Sequence, residues 1–426
     1  MNRIFCLVIL AAVPVSAQET TMMEWVNTLH DFGLHNKTYP GIRQSATKSG
    51  QLATKWLQAE FRELGFEEVH REAFPMNTWE AKMVSLEILD EEKWVKEECW
   101  PIWFTRFSEN PLSGPLMVWD PTLPIERFDG SIVLFEFEKT TREHVRSHSF
   151  DMSAYERISK SGASAAVMAF SGFEKTRVFM NVGDLGADAF TGRMGAVPAV
   201  SIEPGRMKRL IEQSRTGCMA RVTVGGRAPV ARGYNVVAAL PGSTDKVILF
   251  SAHSDGGAVQ GGSGVAMLLE LARHYQKKSG EDGPLSHTLV FLVHAGHYMG
   301  EMGLENFIRR HDEQYAGRMV LHARLGYFGK ETASTDYSAR LALNINLGMT
   351  DAQRKRIRDL GKTLKMSASF AELDGTAYPL KRVPVFQVDS SYSYGQTTDD
   401  TPDKINSVGL AIQAELMKDV VEFFEK

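Results

Sequence analysis

Two short stretches hold the side chains best suited to chemistry. His253 and Asp255 follow the apolar run Val247 to Ala252; His294 and His297, three residues apart, follow the run Thr288 to Val293, with Glu301 just beyond. An imidazole near a carboxylate can hold a divalent cation, move a proton, or complete a hydrogen bond at a strand end. Three readings therefore stand side by side. His253, His294 and His297, with Glu301, could form a single-metal site; His297 could act as a general base without metal; His253 and Asp255 could be a buried hydrogen-bonded pair. A base alone does not make a hydrolase. Ser254 and Ser263 lack the context of a nucleophile, and Cys99 and Cys218 lie outside these stretches.

Other groupings carry less. Asp399 and Asp400 are adjacent carboxylates, yet Asp400 to Asp403 also reads as a capping pattern. Tyr378, Phe386, Tyr392 and Tyr394 either line a pocket or pack around it. Gly183 to Gly195 is dotted with glycine but lacks the strand-to-helix fingerprint of a phosphate loop.

The elements that must position these residues are legible from periodicity. Ala53, Trp56, Leu57, Phe61 and Leu64 recur at helical steps, and Gly65 ends the run. Val84 to Leu89 alternates like a strand; Ile132 to Phe137, Val197 to Ile202, Tyr234 to Leu240, Val247 to Ala252 and Thr288 to Val293 are apolar strand-like runs. Helical patterns cover Ala154 to Ser161, Met207 to Gln213, Gly264 to His274 and Leu410 to Phe424. Such alternation predicts an α/β fold, a mainly parallel mixed sheet with helices on both faces. A turn-rich boundary falls at Gly225-Gly226-Arg227-Ala228-Pro229.

The chain has 426 residues, 43% hydrophobic and 23% charged, enough for more than one domain with a sizeable core. Its formal charge of −4 offers no basic stripe for nucleic acid. Arg3, the apolar run Ile4 to Val13 and the small residues Val15-Ser16-Ala17 read as a signal peptide over residues 1–17. The run is shorter than the roughly 20 residues of a membrane span. The expected mature chain is exported, to a periplasm or outside the cell, is soluble and has no integral membrane segment. Cys6 lies inside the apolar run, which speaks against a lipid anchor, and Cys99 and Cys218 either pair or remain free thiols.

Several spaced motifs together resemble the co-catalytic zinc aminopeptidase family, which includes glutamate carboxypeptidases, glutaminyl cyclases and the transferrin receptor. They are Asn235 to Gly242, Ser251 to Asp255, Gly262 to Ala272, Thr288 to Gly303, Val383-Pro384 and Asp400 to Ile405, with Arg43 to Phe66 similar to the family's opening helix. Residues 109–230 are similar to the protease-associated domain often inserted there. The resemblance implies a discontinuous peptidase-like domain over 18–108 and 231–426, with 109–230 as a smaller inserted β/α domain.

The resemblance also implies a ligand set. His253 and Asp255 match the family's first metal ligand and the carboxylate that orients it. Gln260 stands where the bridging Asp is expected, His297 and Tyr298 where a Glu-Glu pair supplies the base and a ligand, Ala323 where a further Asp is expected, and Gln396 where the last His is expected. Asp374 matches an acidic position whose following His is Gly375. Amides, a phenol and a methyl group cannot offset the dehydration of two dications. The expectation is therefore a member with neither bound metal nor catalytic residues, no cofactor, and a cleft that takes a peptide or protein partner. The alternative is an active hydrolase with zinc at a remodelled mononuclear site.

Overall fold

The computed structural model describes residues 16–137, 153–170, 193–315, 317–329, 340–344, 351, 355, 367–371, 383, 385–389 and 394–425. Asp374, Tyr378 and Tyr392 lie outside these residues, as do residues 1–15 of the expected signal segment and residues 183–192 of the glycine-dotted stretch.

In chain order the strands are β1 (Glu68–Asn77), β2 (Glu80–Asp90), β3 (Lys93–Glu97), β4 (Trp100–Pro101), β5 (Ser108–Val118), β6 (Ile132–Phe137), β7 (Ala165–Phe170) and β8 (Ala199–Ser201). They continue with β9 (Met219–Arg227), β10 (Val230–Leu240), β11 (Val247–His253), β12 (Thr288–His294), β13 (Met319–Tyr327), β14 (Arg340–Asn344), β15 (Ser367–Ala371) and β16 (Val385–Asp389). One sheet has the order β1-β10-β12-β11-β13-β16 and a second the order β3-β2-β9-β5-β6-β7-β8-β4. In the first, β12, β11, β13 and β16 run parallel, while β1 and β10 are antiparallel to their neighbours.

The reason is in the residues. Every side chain of β11 is buried, as a strand covered on both faces requires. Helices α1 (Ser16–Gly33), α2 (Lys48–Glu63) and α3 (Ser263–Asp282) cover one face together with the C-terminal helix Ser407–Glu425. There Phe250 and Phe291 stack within one continuous apolar core with Leu57, Phe61, Leu268 and Met417. The other face is closed by α4 (Met302–Arg310), through Leu304 and Phe307. Among the described residues no helix is long and apolar enough to cross a membrane.

The junction between the two sheets differs from the expected one. β1 and β10 pair along their whole length in the first sheet, whereas β2, which follows β1 after two residues, pairs with β9 in the second. Residues 80–101, placed by sequence with the peptidase-like unit, thus belong to the second sheet, and the N-terminal junction moves from 109 to about residue 78. Alternation in Val84 to Leu89 marks a strand but not its partner, and no Gly or Pro cluster marks the change at Asn77-Thr78-Trp79. Cys99 and Cys218 are free thiols; the latter donates to the Leu89 carbonyl at 3.3 Å.

Candidate functional site

Parallel pairing sets His253, the last residue of β11, beside His294, the last of β12. Beyond β12 the chain turns sharply. Gly296 and Gly300 adopt left-handed backbone angles (φ 76° and 70°) on either side of a single 3-10 turn, His297–Met299, and Glu301 follows at φ 61°. Glycine meets that demand without steric cost; Glu301 does not.

His253 Nδ1 lies 2.7 Å from the Asp255 backbone oxygen and 3.4 Å from its Oδ1. A carbonyl oxygen only accepts, so Nδ1 carries the proton and Nε2 presents a lone pair. That Nε2 is buried and has no partner among the described residues. The expected His–Asp hydrogen bond is therefore made mainly to the Asp255 main chain, while Asp255 Oδ2 accepts from Ser45 Oγ at 3.0 Å. Burial, then the charge of His297, lowers the His253 pKa. Burial favours the neutral acid at Asp255, but the neighbouring imidazoles outweigh it and keep its pKa below the ordinary value.

His297 stacks on His253 with ring centres 4.0 Å apart and planes within 13°. Its Nδ1 is 2.7 Å from Glu301 Oε1, and Arg324 donates to the same oxygen. Burial opposes charge on His297, yet the Glu301 carboxylate raises its pKa overall. Glu301 is held well below the carboxylate range by His297 and Arg324 despite burial. His294 is different: Nδ1 faces Glu301 Oε2 across 3.6 Å, too far for a hydrogen bond, and burial pushes its pKa down to about 3.

The remaining motif positions scatter around this centre. Gln260 is buried, and its amide nitrogen donates to the Tyr327 hydroxyl at 3.1 Å. Tyr298 meets His253 edge-on at 5.9 Å and Trp103 of the second unit at 6.4 Å. Ala323 is buried in β13, paired with Phe250. Gln396 is buried in a left-handed conformation, φ 61°. His253, His294 and His297 do not converge on one point as the single-metal reading required, because His297 lies flat on His253 and commits Nδ1 to Glu301.

Sequence reasoning missed the side chains that hold the centre in place. Arg43 Nε donates to the Ser254 carbonyl at 2.9 Å and Nη2 to that of Gly257 at 2.8 Å; burial lowers its pKa to about 10. Asp400, read as part of a local cap, instead accepts from the backbone N–H of Val259 at 2.6 Å, and burial pushes its carboxyl up to about 7. Both contacts span long sequence separations, for which no periodicity exists. Adjacency to a motif was the available signal: Arg43 opens one quoted segment and Asp400 another.

A parallel sheet with motif residues at its strand ends is the frame of a zinc-peptidase-like α/β fold. Residues 235–421 match the model of Peptidase family M28. Among solved structures, a zinc aminopeptidase from Bacillus subtilis is 15% identical with TM-score 0.70, covering 95% of this chain and 94% of that one. A peptidase M28 precursor from Shewanella amazonensis is 17% identical with TM-score 0.69, covering 95% of each. An aminopeptidase from Aneurinibacillus sp. strain AM-1 is 18% identical with TM-score 0.61, covering 95% and 93%. At these identities the likeness concerns the fold. No curated protein matches the chain in sequence.

A zinc pair does not fit the residues present. Two dications roughly 3.5–4 Å apart need a bridging carboxylate and anionic or imidazole donors. Gln260 supplies an amide tied to Tyr327, Ala323 has no donor, and Gln396 and Tyr298 bear neutral groups. Among the described residues, no three His, Cys, Asp or Glu side chains are arranged to hold a metal ion.

Proposed function

We propose that this chain is an exported, non-hydrolytic member of the M28 peptidases whose cleft binds a peptide or protein partner. The observation that carries the reading is chemical: of the five expected ligand positions only His253 bears a metal-binding group, and the residue at the base position, His297, is tied to Glu301. Export rests on the apolar run after Arg3 and the small residues before Gln18. The second sheet corresponds in this reading to the protease-associated insertion, with Trp103 set against Tyr298 at the cleft.

Backbone strain supports a retained binding role. Of the five described non-glycine residues with left-handed angles, Glu91 sits in the turn between β2 and β3; of the other four, Glu301 and Gln396 are motif residues or their neighbours, Ala46 follows Ser45, and Phe104 follows Trp103. Such conformations cost about 1–3 kcal/mol each and gather where a site over-determines its backbone. The test is hydrolysis of aminoacyl anilides by the purified chain, with and without added zinc or cobalt. No turnover above the buffer rate is expected. Metal-dependent, chelator-sensitive turnover, with two ions bound per chain, would overturn the proposal.

A further inference from the structure

We propose that Glu301 is an internal stand-in for a carboxylate of the bound polypeptide: it fills the seat between His297 and Arg324 and gives way when the partner's own carboxylate arrives. This rests on the metal-free reading above and names the group that the cleft would recognise. His297 Nδ1 stands 2.7 Å from Glu301 Oε1, and Arg324 Nη2 donates to the same oxygen. A carboxylate only accepts, so two donors from different elements, the turn after β12 and strand β13, point at one position. Glu301 fills that seat incompletely. Its Oε2 makes no hydrogen bond among the described residues, and His294 Nδ1 stands 3.6 Å from it.

Charge selects the incoming group. Arg324 and protonated His297 balance Glu301 and Asp255, while Arg43 beneath them faces Asp400 as well as Asp255. Trading one carboxylate for another preserves that balance. A cation or a neutral group in place of Glu301 would leave it uneven, and a dianion would add charge beside Asp255. Glu301 is also placed where exchange is feasible. The side chains of His297, Glu301 and Arg324 all remain partly exposed, so water can take up the released carboxylate. The backbone need not move. The Glu301 N–H donates to the His297 carbonyl at 3.3 Å and its own carbonyl accepts from Glu305 at 3.0 Å, which leaves the side chain to rotate alone. The site keeps a glutamate at φ 61°, where glycine would carry no steric cost, so its carboxylate outweighs that cost.

The experiment is calorimetric titration with sodium acetate, at ionic strength held constant with chloride, of the full native chain, Glu301→Gly, and Glu301→Gly combined with Arg324→Gln. Glu301→Gly suits the left-handed backbone and empties the seat. It should bind acetate about tenfold or more tightly than the native chain does, and Arg324→Gln should cancel that gain. Glu301→Gln takes its place if the glycine variant fails to fold, with a gain of about threefold. Equal affinity in native chain and variant, no acetate binding by the variant, or a gain that survives Arg324→Gln would each make Glu301 a structural ion pair and overturn the proposal. Two further ligands locate the source of the carboxylate on the native chain: N-acetylalanine offers a main-chain terminus, and Nα-acetyl-glutamate α-amide an acidic side chain. Tighter binding than acetate assigns the partner's group, and failure of both to exceed acetate also overturns the proposal. Failure here without metal-dependent hydrolysis leaves the non-hydrolytic reading standing, whereas hydrolysis in the anilide assay removes both.

Discussion

The floor and the rim of the cleft use the same kinds of groups to opposite ends. At the floor, Arg43 and Asp255 have no exposure and Asp400 only 4%, and all three are engaged with backbone or hydroxyl groups of distant segments. At the rim, the side chains of His297, Glu301 and Arg324 keep 18%, 23% and 19% exposure. Charges without water cannot relax when a partner is removed, so the floor is structural. Rim charges are partly screened and can exchange partners at lower cost. The shape of this centre therefore depends on the floor, whichever groups stand at the rim.

Four substitutions can break or sharpen that contrast. Arg43→Ala leaves the buried Ser254 and Gly257 carbonyls without their donor and removes the positive charge near Asp255 and Asp400; we expect a loss of about 2–5 kcal/mol in urea unfolding, and a loss as small as at the rim would erase the distinction. Asp400→Asn addresses the floor through pH. Its folded-state pKa, about 7, exceeds the ordinary value of 3.8, so the folded state binds the proton more tightly. This group's stabilising contribution is greatest below pH 4 and is lost as pH rises toward 7, so the stability difference between the native chain and Asp400→Asn should shift against the native chain over that window. A pH-independent difference would place the carboxylate nearer its ordinary value. At the rim, Glu301→Gln should cost about 1 kcal/mol, diminishing in high salt; a cost matching Arg43→Ala would make the rim structural too. The smallest effect is expected for Gln260→Asp: no aminopeptidase turnover, because Tyr298, Ala323 and Gln396 remain, and measurable turnover would show that the floor still admits metal.

Much of this molecule was legible before its folding was considered. The run Ile132 to Phe137 coincides with β6, Gly65 ends α2 with φ 94°, and the parallel strands follow from uninterrupted apolar runs. The apolar runs also set His253 beside His294 at the ends of β11 and β12, with His297 stacked on His253 and bonded to Glu301. Other details were hidden. Sequence spacing treated the three histidines as one potential ligand set, whereas a left-handed Gly296 swings His297 over the face of His253. Arg324 gave no signal, since one arginine in a strand reads as solvated until its neighbours are known. The junction at 109 was misplaced because strand periodicity reports burial and is silent about pairing.

Local order and chemical type were therefore determined by the sequence itself. It specified which segments become strands or helices, and it specified that amide, methyl and phenol groups stand where anionic ligands would be needed, because these properties belong to residues and their near neighbours. Tertiary structure alone decided which charges neutralise one another, that Arg43 and Asp400 brace the same loop, and which lone pairs remain unmet. Those outcomes depend on distances between residues hundreds of positions apart, and on the exclusion of water once they meet.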